Sequence, residues 1–68
     1  MKNIIKVERA RNNLTQAELA EKIKVARQTI IAIENGRFVP SATLAFKIAT
    51  VLSCRVDDIF SLEDKDWD

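Results

Sequence analysis

The chain predicts an all-α domain built from five short helices. Apolar residues recur at helical spacing along nearly its whole length, and no stretch shows the period-2 alternation, bounded by turn residues, that marks a strand. Punctuation is sparse: the one glycine and the one proline fall close together, at Gly36 and Pro40. The 68 residues make one domain, over residues 1–62, followed by a short acidic tail at 63–68. A core this small favours help from a second copy.

Segment one, about Asn3 to Asn12, places Ile4, Ile5 and Val7 among Lys6, Glu8, Arg9 and Arg11. Asn12-Asn13 is its expected stop, because asparagine visits the left-handed conformation found at helix ends. Segment two starts at Thr15, with Glu18 three residues on. That spacing lets hydroxyl and carboxylate satisfy two free backbone N–H groups reciprocally. Leu19, Ala20 and Ile23 then form its apolar face. Lys24-Val25 makes a short turn.

Segment three runs from about Arg27 to Asn35. At roughly 100° per residue, Ile30 and Ile33 share the inward side with Glu34 at its edge, while Gln28 and Ala32 face outward near Asn35. Arg27 and Ile31 flank, and Gly36 supplies the left-handed residue that ends the helix. After the loop Arg37 to Pro40, segment four spans about Ser41 to Leu52. Ser41 is its expected N-cap, and Leu44, Ala45, Ile48, Ala49 and Leu52 form its stripe. A break at Ser53 to Arg55 precedes segment five, Val56 to Phe60, whose first turn carries Asp57 and Asp58 where the helix dipole favours them. The remainder, SLEDKDWD, is expected to fray.

Composition excludes several classes of function. There is no histidine and a single cysteine, which removes most zinc sites, His-based triads and Cys–His nucleophiles. A helical chain this short has little room for a substrate pocket, so no catalytic residue, metal or cofactor is expected. No window approaches the ~18 consecutive apolar residues of a membrane span, and no secretory signal opens the chain. With its lone cysteine, this leads us to expect a cytoplasmic protein without membrane contact. Residues 1–37 hold eight basic and four acidic side chains, a balance of +4, whereas residues 38–68 hold three basic and six acidic, a balance of −3. A basic half joined to an acidic end suits a protein that turns one face to phosphates.

Taken together, LTQAELAEKI, the ARQTIIAIENG helix, the following PS-capped helix and the VDDIF end resemble the Xre-type helix-turn-helix family of phage repressors and Cro proteins. The resemblance covers about Asn3 to Phe60. It implies a compact five-helix bundle of the lambda-repressor type, with segments two and three forming the helix-turn-helix at about residues 15–35. It also implies that Arg27, Gln28 and Thr29, with Ala32 one turn on, face DNA. Gln16 together with its backbone N–H, then Asn35, Arg37 and Thr43, stand where phosphates are held. An Arg9–Glu34 pair ties the first helix to the end of the third. The chemistry fits these roles: arginine pairs bidentately with guanine and glutamine with adenine, and helix N-termini bind phosphate. Asn13, Lys24 and Ser53 stand where relatives often carry glycine, Ala26 where a polar cap is common, and Glu8 where an apolar residue is usual.

Arg27 is expected to meet DNA at a base or at the backbone. Ala32 either touches a thymine methyl or leaves room for close approach. Phe38 is expected to pack locally, and Cys54 to be a small core residue. Val56, Ile59, Phe60 and Leu62 are expected to form a self-association patch, which Trp67 either extends or, being disordered, does not join. The leading expectation is a sequence-specific regulator, a repressor rather than an activator, bound to a palindromic operator as a homodimer and so nucleoid-associated when on DNA. The rival is an antitoxin-like or anti-regulator module that uses the same fold to hold a regulatory protein partner.

Overall fold

The computed structural model describes all 68 residues. Five α-helices follow in order: α1 (Ile5–Arg11), α2 (Gln16–Ile23), α3 (Arg27–Glu34), α4 (Ala42–Val51) and α5 (Val56–Ile59). Two start signals act as the sequence predicts. Thr15 accepts from the Glu18 N–H at 3.0 Å while the Glu18 carboxylate accepts from the Thr15 N–H at 2.9 Å. These bonds hold the Glu18 carboxyl below its usual range. At α4, Ser41 Oγ accepts from the Leu44 N–H at 3.2 Å. Ala26 opens α3 with no side-chain cap.

The core is a single apolar cluster to which every helix contributes. Ile5, Leu19, Ile30, Ile33, Ile48 and Leu52 are its fully buried large side chains. α2 packs on both α3 and α4, so the apolar stripes read from the sequence converge on α2. Ile30 and Ile33 are buried as the helical angles require, while Gln28 on the opposite side is exposed.

The helix ends share one device. The left-handed residues are Asn13, Lys24, Gly36 and Ser53, with φ of 55°, 60°, 75° and 58°. At each, the next residue's N–H reaches back six positions inclusively: Leu14 to Arg9 O, Val25 to Ala20 O, Arg37 to Ala32 O and Cys54 to Ala49 O, all at 2.9–3.0 Å. Each left-handed residue also donates to the carbonyl three before it. These paired bonds define the Schellman closure. Leu14, Val25 and Cys54, just past three of these turns, pack against the core, which recovers part of the strain of a side chain at positive φ.

Three expectations are corrected. First, Asn3 and Phe60 are not helical: β1 (Lys2–Asn3) pairs antiparallel with β2 (Phe60–Ser61), aligning Lys2 with Ser61 and Asn3 with Phe60. A ladder of two residues is too short to show any alternation in sequence. Second, the tail does not fray. Asp64–Trp67 form a turn of 3-10 helix, and the Met1 ammonium lies 3.0 Å from both Glu63 Oε1 and Asp66 Oδ2. The hydrogen bonds to these carboxylates raise the ammonium pKa, and both carboxyls are held below their usual range. Third, Ile59 and Phe60 are 2% and 7% exposed. The β1–β2 pairing folds them into the core, so they offer no surface to a second copy. Val56 is half-buried, and only Leu62 of that expected patch stands out, at 57%.

Glu8 is buried and compensated. It accepts from the Cys54 thiol at 3.1 Å and faces Arg11 at 3.6 Å. That hydrogen bond, with burial second, pushes the Cys54 thiol pKa up.

Two outcomes follow. Replacing Lys24 or Ser53 by glycine is expected to raise the unfolding free energy by roughly 0.5–1 kcal/mol each, since removal of the left-handed penalty exceeds the entropy glycine adds. The gain at Asn13 should be smaller, and urea denaturation measures all three. Because the thiolate is the reactive form, Cys54 should alkylate more slowly at about pH 8 than a cysteine in an unstructured peptide. Glu8→Gln should speed it, as followed by mass spectrometry.

Candidate nucleic-acid interface

Around α3 the residues fall into two sets. Ile30 and Ile33 anchor it in the core; Arg27 and Gln28 are exposed; Thr29, Ile31 and Ala32 are half-buried along its flanks. Asn35 and Arg37, just past the helix, are exposed, as is Thr43 in the first turn of α4. The outward face of α3 carries no acidic side chain.

A hydrogen-bonded chain runs beneath this face. The Arg9 guanidinium grips Glu34 in a fork, with Nε donating to Oε2 at 2.7 Å and Nη2 to Oε1 at 3.2 Å. Its third donor, Nη1, holds the Leu14 carbonyl at 3.0 Å. Gln16 Nε2 donates to the same Glu34 Oε1 at 3.1 Å, and Gln16 Oε1 accepts from Arg27 Nη2 at 3.4 Å. The Arg9 and Glu34 side chains are 13% and 9% exposed, so the pair is largely shielded from water and competing salt. One carboxylate thus ties α1, the first residue of α2 and both ends of α3. Asn3 adds a fifth strut, its amide donating to the Ile33 carbonyl at 2.9 Å.

This arrangement brings together most of the residues read from the sequence. Arg9, Glu34, Gln16 and Arg27 form one network, with Gln28 next to Arg27 on the exposed side. Gln28, Thr29 and Ala32 line one shallow depression. Gln16 retains an amide N–H and, as the first residue of α2, a backbone N–H without an intrahelical acceptor. Thr43 stands apart: it lines a different groove, with Lys22, Lys24 and Phe46.

Phe38 is the residue whose place the sequence did not reveal. The Gly36 closure turns the loop back so that the N–H groups of Arg37 and Phe38 both reach the Ala32 carbonyl, at 2.9 and 3.3 Å. Phe38 and Leu44 consequently border the depression with Gln28, Thr29 and Ala32. A glycine two residues before an aromatic was the available signal, but the direction of the returning loop depends on α3 being packed first.

The Arg9–Glu34 pair has a measurable consequence. Arg9→Met alone should destabilise the fold by about 3 kcal/mol, because it strands a shielded carboxylate, whereas Arg9→Met with Glu34→Leu should recover most of that loss. Thermal unfolding of the single and double variants checks this.

Comparison with known proteins places the fold in a family. A helix-turn-helix family model matches residues 5–59. An uncharacterised HTH-type transcriptional regulator of Methanocaldococcus jannaschii is 56% identical over 64 residues, covering 94% of this chain and 97% of that protein. The uncharacterised HTH-type transcriptional regulator YgzD of Bacillus subtilis is 46% identical over 65 residues, covering 96% and 98%. Among solved structures, the clp gene regulator ClgR from Corynebacterium glutamicum superposes with a TM-score of 0.74 at 30% identity. That match covers 79% of this chain and 57% of the ClgR chain. No helix here is long and apolar enough to cross a membrane. With the matched span running from the start of α1 to the end of α5, this chain belongs to the Xre/Cro-like helix-turn-helix family of DNA-binding transcriptional regulators.

Proposed function

We propose that the protein is a sequence-specific regulator that lays α3 in the major groove of double-stranded DNA and represses by occluding polymerase. The observation that carries this reading is the outward face of α3. It presents Arg27 and Gln28 to solvent, free of acidic neighbours, on a helix tied at both ends to one shielded carboxylate. Gln28 reads adenine through its amide and Arg27 meets guanine or the backbone. Thr29 and Ala32 make apolar contact with a base. Gln16, through its remaining N–H groups, and Asn35, Arg37 and Thr43 hold phosphates and set the register. Two copies bind a palindrome with their α3 helices ~34 Å apart, one turn of B-DNA.

Selection of bound sequences from a random duplex pool tests this directly. A palindromic consensus is the expected result. With the selected duplex, Gln28→Ala should lose about 1–3 kcal/mol of discrimination at one base pair per half-site while leaving the other positions unchanged. Arg37→Ala should weaken all sequences alike and flatten the salt dependence. Absence of binding to any duplex at low salt would overturn the reading.

A further inference from the structure

The most exposed large apolar side chains lie away from α3. Trp67 is 76% exposed and Phe46, on the outer side of α4, is 63% exposed. Phe46 lies in a groove of about 690 Å³ between α2 and α4, floored by Ile23 and Val51 and edged by Lys22, Lys24 and Lys47. No acidic residue lines this groove. Beyond Phe46 a second depression continues to Val56, where Arg55 and Asp57 pair with each other at 3.3 Å. So α4 presents an apolar strip with a basic rim. Trp67 has the opposite setting: Asp64, Asp66 and Asp68 lie beside it in sequence, opposed by Lys65 and by the Met1 ammonium, which leaves Asp64 and Asp68 without a basic partner. The turn that carries it is tied to the Met1 ammonium by two ion pairs.

These surfaces are complementary in charge and in apolar content. We propose that the groove around Phe46 receives the Trp67 turn of a second copy, with the indole on Phe46 and Asp64 and Asp68 facing Lys22, Lys24 and Lys47. A two-fold pair makes the contact twice, each copy giving a tail and taking one. This rests on the homodimer reading above and supplies the interface that Ile59 and Phe60, being core residues, do not. Thr43, which meets phosphate in the reading above, stands in the first turn of α4 at one end of this groove; a phosphodiester backbone along the rest of it is the poorer occupant, since it would satisfy the lysines but leave the apolar floor and Phe46 uncovered. An acidic segment with a large aromatic covers both. Aromatic anchors seated in a pocket dominate such contacts, and attraction between a basic rim and an acidic turn aids encounter.

Sedimentation of the full chain with Phe46→Ser, with Trp67→Ala and with an equimolar mixture of the two is the test. Both positions are exposed, so both variants should fold, as circular dichroism verifies. Wild type should dimerise, with blue-shifted emission from its single tryptophan on association. Each variant alone should dimerise at least ~tenfold more weakly. The mixture should form heterodimers, because the tail of the Phe46 variant still finds the groove of the Trp67 variant. A wild-type dimer indifferent to both substitutions would overturn this interface and leave the homodimer standing. A monomeric wild type would overturn both. Loss on Phe46→Ser but not on Trp67→Ala would exclude the tail as occupant. If lysine substitutions lowered DNA affinity while dimerisation stayed intact, the groove would be a phosphate-facing surface and the proposal wrong.

Discussion

The orientation of α3 turns on the Glu34 carboxylate: a shielded charge has to be compensated, and the compensation comes from two other helices. Arg9 reaches it from α1 through two nitrogens and Gln16 from the start of α2 through its amide. Removing water from such a pair makes each missing partner expensive, so the geometry of all three elements is set together. Because Gln16 also accepts from Arg27, the first residue of α3 is referenced to the carboxylate that closes it. An eight-residue helix, with its N-terminus uncapped by any side chain, thereby acquires a defined orientation.

The second constraint is reversal of the chain. Each of four helices must end abruptly for the next to pack back on the core, and the chain has only one glycine with which to do it. The closures at Asn13, Lys24 and Ser53 therefore place ordinary side chains in left-handed conformations. The paired backbone bonds and the burial of Leu14, Val25 and Cys54 hold them there. Lys24 carries this strain at the turn between the two helices of the helix-turn-helix, so the geometry of that turn depends on core packing more than on local preference.

What is left for the surface follows from these two constraints. The β1–β2 ladder draws Ile59 and Phe60 inward and, with the Met1 ammonium, pins the acidic tail instead of leaving it loose. The same pinning presents Trp67 to solvent as an ordered group. The apolar strip along α4 and the acidic turn are thus separated on one copy, a division that an interface between two copies can use.

Much of this architecture was legible from residue patterns, because it depends on neighbours within a turn or two of helix. The five helices follow from apolar spacing; the Thr15–Glu18 box and the Ser41 cap from donor–acceptor reach over three residues; the burial of Ile30 and Ile33 opposite Gln28 from the angle per residue. The Arg9–Glu34 pair was legible only through resemblance to a family, since its partners lie 25 positions apart. Tertiary structure alone decided the rest. It paired Asn3 with Phe60, closed Glu8 against Cys54, brought Phe38 to the edge of the α3 face and took Ile59 and Phe60 out of the expected dimer patch. In each case the deciding contact joins segments distant in sequence, so which face an apolar or charged residue finally shows is set by what the rest of the chain packs against it.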